Sequence, residues 1–495
     1  MSDNILFDTL LKACSQNPSL VKEAEAKIQE IEIQPGYCIN LLSVIVNHSI
    51  ESNVRCMACV CLKNAIDKFW RKTAPHSIKE EERQLLKSQF LQYLSEPELK
   101  IARQMSVILG KLARFDLPHQ WPDLMTKLIQ ILQETSTPAA LSSPSITNQP
   151  SASDSTQQNL IHSRCLMALH QIIKSLASKR LCNDRKIFEE LSINIIDMLN
   201  QLAFHYVQKC VANSLDDVEF IKSLSEPPSA KLELQIQSFY LDQAIICLKI
   251  LHKLVLHGFK DNVESASLNQ LMLNLLQSFE KLITKYNRIQ SSPHQTLIDY
   301  FKEKYEYLVV LYVQMINDYH ETYPYNFIQT CLSDCLNLIM HICFTPQGKQ
   351  ISFAKLSINL MNFLKSIIMC DKYKQRLIKI DDPNVQMKQQ KAIEIKQNYL
   401  TRDNLQQILG FLFNEYLLMT EEELEVWRDS PEEFINEDGT ATDAWKYNYR
   451  ACAETLFQAF VHEYHDIVVP IVVELIQVYS KIKPAEQTWV IKKNN

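Results

Sequence analysis

Apolar side chains recur along this chain at three- and four-residue intervals, the spacing that gathers them on one face of a helix. In Val54–Trp70 the positions Met57, Ala58, Cys61, Leu62, Ala65, Ile66 and Phe69 share a face, while Arg55, Lys63, Asn64, Asp67 and Lys68 fall mostly elsewhere. Glu98–Phe115 repeats the pattern with Ile101, Met105, Ile108, Leu109 and Leu112. Between them Glu81–Leu94 predicts another helix, closed by Ser95-Glu96-Pro97. Trp121-Pro122-Asp123-Leu124 opens the next, with Pro122 in its first turn, where the missing N–H costs nothing. No segment alternates convincingly as a strand.

The starts of the two equivalent helices, Val54 and Glu98, lie 44 residues apart. The next equivalent helix begins near Asn159, too far along unless Thr135–Gln158 is an insertion. That stretch is rich in Ser, Thr, Pro and Gln, carries one charge, Asp154, and is expected to be disordered. Helix pairs then follow: Arg185–Gln208 with Leu234–His257, Leu268–Tyr286 with Thr296–Tyr319, and Asn326–Ile342 with Ala354–Met369. Lys388–Met419, Ala444–Tyr464 and Ile467–Ser480 complete the run, and Ser225–Ala230 is a second candidate for disorder. Two helices per 40–47 residues is the HEAT period. The fold expected is all-α: an α-solenoid of roughly ten or eleven HEAT-type hairpins in a superhelical array, rather than an irregular bundle. Ile467–Tyr479 is apolar on most sides, where a terminal repeat should carry a polar outer face. It calls for a neighbour that the tail 481–495 does not supply, so the chain is expected to be the front part of a longer solenoid or a truncated product.

Composition narrows the chemistry. Only 6 of 495 residues are glycine, and no two lie within the few positions that a phosphate-cradling loop or a nucleophile elbow requires. No nucleotide or other cofactor is expected. A net charge of −6 argues against direct nucleic-acid binding, and no apolar run is long enough to insert in a membrane. Fourteen cysteines behind an acidic N-terminus, which lacks the charge pattern of a secretory signal, are expected to be reduced thiols. Cys56, Cys59 and Cys61 lack the second pair of a zinc site and are read as core packing, as are Cys331, Cys335 and Cys343. His462 and His465 are three apart rather than the four of the metalloprotease helix, so no metal is expected and Glu463 is read as an exposed charge. Asn47-His48-Ser49 is a chance glycosylation match, and no catalytic constellation survives.

Charge is distributed unevenly. Glu421, Glu422, Glu423, Glu425, Asp429, Glu432, Glu433, Glu437, Asp438 and Asp443 are opposed within their stretch only by Arg428, which makes the rest of the chain slightly basic. With Pro431 and Gly439 inside it, the stretch reads as an acidic loop, suited to a basic partner. Trp427 and Phe434 favour its docking on the protein. Arg55, Lys63, Lys68, Arg71 and Lys72, then Lys100, Arg103, Lys111 and Arg114, fall on the second helices of consecutive hairpins and predict a basic ladder for an acidic protein surface.

Asn53-Val54-Arg55 with Leu62–Trp70, and Leu112–Pro122, resemble the N-terminal domain of the importin-β (karyopherin-β) family. Leu417–Leu424 with Trp427 and Asp429–Phe434 is similar to the acidic loop of several receptors in that family, and the likeness runs from about residue 20 to Ser480. The resemblance implies a nuclear transport receptor that shuttles between nucleus and cytoplasm through the nuclear pore. Its implied partners are Ran-GTP, protein cargo on the inner surface and Phe-Gly nucleoporins on the outer, with the chain a monomer. It implies N-terminal Ran-binding repeats over 1–120, further repeats over 121–480 and a tail over 481–495. Carried over by position, the Ran-facing residues are Arg55, Lys63, Asn64, Lys68, Arg103 and Lys111, with the acidic loop meeting Ran's basic surface or basic cargo. An exportin and a static HEAT scaffold remain as alternatives.

Overall fold

The computed structural model describes residues 3–136, 152–212, 229–260, 265–291, 295–374, 382–419, 421–432 and 443–481. Among them every long element is a helix and none is a strand, as the apolar spacing predicts. Two compact units are formed, 1–203 with 243–259 and 204–242 with 260–495.

The first unit begins with α1 (Asp3–Ala13), α2 (Pro18–Ile31), α3 (Tyr37–Val46), α4 (Ser52–Phe69), α5 (Glu80–Phe90) and α6 (Leu99–Asp116). It continues through α7 (Leu124–Thr135) and α8 (Ala152–Ala177), while α9 (Cys182–Ala212) and α10 (Ser229–His257) contribute to both units. The second helices of successive hairpins stack on one another: α4 packs on α6 and α6 on α8, while α3 backs α4 and α7 backs α8. Their apolar faces are buried, including Ala58, Leu62, Ala65 and Ile66 of α4 and Ile101, Ile108 and Leu112 of α6. Gly110 lets α6 and α8 approach: a Cβ there would stand 2.8 Å from the Gln171 carbonyl oxygen.

In the second unit α11 (Ala266–Gln290) packs on α12 (Gln295–Thr322), α12 on α16 (Ala354–Met369), and α16 on α20 (Tyr449–Glu463). In chain order α13 (Pro324–Thr330), α14 (Leu332–Cys343) and α15 (Pro346–Ile351) come between α12 and α16, and α17 (Pro383–Tyr399) and α18 (Arg402–Phe411) between α16 and α20. α19 (Glu421–Asp429) and α21 (His465–Lys481) complete the unit. The helix starts show how a chain so poor in glycine is punctuated. Asn17, Ser265, Thr345, Asp382, Thr401 and Asn448 each accept a first-turn amide hydrogen through a side-chain oxygen.

Several expectations are corrected. The stretch expected to be disordered as far as Gln158 is helical from Ala152, because α8 starts well before the apolar pattern does; 137–151 lie outside the described residues. Ser229 and Ala230 open α10, and 225–228 lie outside the description. Pro122 sits in the turn before α7 rather than within its first turn. Asn326–Ile342 is broken at Cys331, whose φ of −136° leaves the helical region. Lys388–Met419 is broken at Leu400-Thr401, where Thr401 caps a new helix. In both places the apolar period continues across the break, so periodicity alone does not reveal it.

The cysteine reading holds except at Cys56, which is only half-buried. Cys59, Cys331, Cys335 and Cys343 are buried as apolar groups, and burial pushes the Cys59 thiol up to about 12. Glu463 is not an exposed charge: its side chain is 14% exposed and accepts from Lys374 Nζ at 2.7 Å. The outer face of α21 is apolar and open, with Ile476 and Val478 each more than half exposed, while Val468 and Ile471 are fully buried beneath.

Candidate functional site: a charged ridge on the N-terminal hairpins

α4 and α6 pack side by side, and across them Lys111 Nζ bonds both carboxylate oxygens of Asp67. α6 and α8 are pinned by Arg114, which donates to the Ser175 carbonyl and to Ser178 Oγ at 2.5 Å each. The basic side chains expected on these helices do not behave alike. Lys63 and Lys111 are half-buried and Asn64, Lys68 and Arg103 are exposed. Lys68 reaches Glu32 at 2.8 Å yet stays 52% exposed. Lys63 and Arg103 form no ion pair among the described residues.

Arg55 departs from the expectation. It is 3% exposed, donates from Nε to the Ile45 carbonyl at 2.6 Å and from Nη2 to Glu96 Oε2 at 2.5 Å. Its helical position faces α3 and the α5–α6 connection rather than solvent, so it holds the hairpins together and is not part of the exposed set. Glu96, missed as a site residue because it lies in a Ser-Glu-Pro turn, is the hub of this knot. Its Oε1 accepts from the Glu98 amide at 3.0 Å, and its carbonyl accepts from Arg164 Nε at 2.9 Å. Trp70, Lys87 and Asp116 form a second knot: Trp70 Nε1 donates to Asp116 Oδ1 at 2.8 Å, and Lys87 Nζ lies 3.0 Å from Oδ2. The apolar period carries no signal for these knots: it sets Arg55 apart from the apolar face and leaves Glu96 in a turn and Asp116 beyond the helix.

The acidic stretch is also not a simple loop. Glu421–Asp429 is the helix α19, amphipathic about Leu424, which is 4% exposed. Leu424 anchors it, whereas Trp427 is 50% exposed. Arg450 Nη2 approaches Glu423 at 3.5 Å, so a cation from beyond the stretch meets it. Glu425, Asp429 and Glu432 are exposed. Glu433, Phe434, Glu437 and Asp438, and the side chains of Glu421 and Glu422, lie outside the description.

Residues 24–96 match the importin-beta N-terminal domain. The chain is 28% identical to human importin-11 over 476 residues, 96% of this chain and 44% of that protein. It is 30% identical to exportin-2 of Pagrus major over 127 residues, 25% of this chain and 13% of that one. The structure of Lph2, a bidirectional nuclear transport receptor of S. cerevisiae, superposes with a TM-score of 0.70 at 20% identity, covering 96% of this chain and 42% of Lph2. The chain therefore spans less than half the length of the curated relatives it matches. The importin-β resemblance read from Leu62–Trp70 and Leu112–Pro122 holds along nearly the whole chain, and the solenoid expected from the helix period is the fold of its structural neighbour.

Proposed function

We propose that this chain, with its importin-beta N-terminal domain and stacked HEAT-type hairpins, acts as a nuclear transport receptor. It binds Ran-GTP with the hairpins of residues 1–120, protein cargo on its inner surface and Phe-Gly nucleoporins on its outer surface. It works as a monomer and shuttles between nucleus and cytoplasm through the pore. The observation that carries the reading is the N-terminal domain match continued by similarity over 96% of the chain. The Ran-facing side chains are Lys63, Asn64, Lys68, Arg103 and Lys111, with Arg55 acting beneath them as scaffold. The exposed acids Glu425, Asp429 and Glu432 of the α19 region meet a basic surface of Ran or of cargo. The GTP belongs to Ran, which accords with the absence of a glycine-rich phosphate loop in this sequence.

The test is retention of Ran on the immobilised chain. Ran loaded with GTP should be held and Ran loaded with GDP should not; equal retention of both, or of neither, refutes the proposal. Lys63→Glu with Arg103→Glu should weaken GTP-dependent binding and flatten its dependence on salt. An export direction is the second reading, favoured by the N-terminal match to exportin-2. Cargo that binds together with Ran-GTP, rather than in competition with it, would establish that direction.

A further inference from the structure

The turn between α8 and α9 brings together an exposed serine, a basic segment and an arginine of α6. α8 ends at Ala177 and α9 begins at Cys182. Between them Ser178, Arg180 and Leu181 are exposed and Lys179 is half-buried. Ser178 therefore sits outside both helices, on a short irregular segment reading Ser-Lys-Arg-Leu. Its hydroxyl donates to the Ser175 carbonyl at 2.8 Å and accepts from Arg114 Nη1 at 2.5 Å.

The Arg114 guanidinium has donors to spare. Both of its hydrogen bonds come from Nη1, so Nε and Nη2 have no partner among the described residues, and Arg114 forms no ion pair there. A planar fork of this kind matches a group with several anionic oxygens better than a single hydroxyl. The surroundings suit such a group. Residues 155–183 contain no aspartate or glutamate. Lys179 is already held by Asp184 at 3.0 Å, but Arg180 forms no ion pair among the described residues. One influence opposes an anion here: Ser178 follows the carboxyl end of α8, whose dipole repels negative charge. Arg114 is the group placed to offset it.

We propose that Ser178 is a phosphorylation site whose phosphoryl group is held by Arg114. An ATP-dependent protein kinase that reads cations following the serine supplies the group. Ser178 Oγ bonds to the γ-phosphorus, the bond to the β-phosphate oxygen breaks, ADP leaves, and the hydroxyl proton passes to the kinase's base. The product carries nearly two negative charges and three acceptor oxygens. Lys111 and Arg114 are neighbours on one face of α6, about 5–6 Å apart at Cβ, so the new charge acts on Lys111 with incomplete screening. Phosphorylation thereby weakens the attraction of the ridge for an acidic partner. That consequence rests on the transport-receptor reading and adds a regulator to it.

The full chain, incubated with ATP and a kinase selective for serine followed by lysine or arginine, should gain phosphate at residue 178, and Ser178→Ala should lose it in mass spectra. No phosphate at 178 overturns the proposal. The clamp is read by hydrogen exchange on chain with phosphoserine encoded at 178. Protection at the ends of α6 and α8 should rise about threefold or more over the unmodified chain. In Arg114→Gln phosphoserine should lower it instead, because the helix dipole then acts unopposed. No gain with Arg114 present, or the same change in both backgrounds, overturns the clamp; the first comparison holds even where Arg114→Gln fails to fold. Ran-GTP should bind the phosphoserine chain about threefold or more weakly, and equal affinity refutes the regulation. A chain that ignores Ran-GTP in both forms loses the receptor reading, while phosphate uptake and exchange still judge the site.

Discussion

Replacing Arg55 by methionine should loosen the N-terminal hairpins more than removing the charges of Arg55 and Glu96 together. The two side chains are each 4% exposed and meet at 2.5 Å. Taking away the guanidinium alone strands the Glu96 carboxylate in a dry setting. His48 Nδ1 lies 3.9 Å off, but on a side chain 61% exposed, and is a poor substitute. Breaking a buried pair from one side costs about 3–5 kcal/mol. In Arg55→Met/Glu96→Gln the neutral amide still accepts the Glu98 amide hydrogen through its carbonyl oxygen. What remains is mainly the unpaired Ile45 carbonyl and imperfect packing, about 1–2 kcal/mol.

A stack of repeats opens piecewise rather than in one step, so the assay must be local. Hydrogen exchange, followed by mass spectrometry on peptides from α3, α4 and the α5–α6 connection, reads the opening free energy where the knot lies. At about 1.4 kcal/mol per decade, the single variant should lose about two to three and a half decades of protection there and the double variant about one. Equal loss in both would mean that Glu96 is already well solvated, and the argument from burial would be wrong.

The remaining predictions concern other parts of the fold. His320 is buried against Phe327, Phe363 and Tyr373, and burial, then the charge of Lys396, hold its imidazole down to about 3. The unfolded chain takes up a proton below about 6.5 that the folded chain refuses. Stability should therefore fall by up to about 1.4 kcal/mol per pH unit from pH 6.5 toward 3. His320→Phe should flatten that slope in hydrogen exchange followed on peptides of α12, α13 and α16 across the same pH range, and an unchanged slope would refute it. Gly110→Ala must push α6 from the Gln171 backbone and should cost about 1–3 kcal/mol, seen as lost exchange protection in α6 and α8; no loss would refute the close packing.

Much of the helix framework is legible in the apolar period: α4 and α6 start and end within two residues of the sequence reading. What the period misses is local. Cys331 and Leu400 leave the helical conformation although the neighbouring apolar positions keep phase, because a break of one residue or two hardly disturbs a three-to-four spacing. The acidic stretch misleads in the opposite way. Its charge, proline and glycine suggest a loop, but one leucine, Leu424, suffices to seat a short helix when Arg450 answers Glu423. Site residues are harder still, since Arg55 and Lys63 both occupy a basic helix that the sequence marks as one surface. Whether a cation faces water depends on the partner helix: Arg55 meets the α3 carbonyl end and Glu96, which lies 41 residues away.

Internal pairing does not disqualify every ridge lysine in the same way, and magnitudes decide which remain available. Lys68 is 52% exposed but its partner Glu32 only 12%, and Lys111 is 28% exposed against 44% for Asp67. Each pair keeps one member well in solvent, so replacing the internal carboxylate by an incoming one costs more than at a fully exposed pair and less than at a pair buried on both sides. The Arg55–Glu96 pair is buried on both sides, and exchanging its partner would expose or strand a charge at the highest cost of the three. Lys63 and Arg103, with no pair to exchange, require no such replacement. An acidic partner docking on this ridge therefore gains most from Lys63 and Arg103, next from Lys68 and Lys111, and nothing directly from Arg55. The Ran-GTP affinities of single charge-reversal variants should fall in that order.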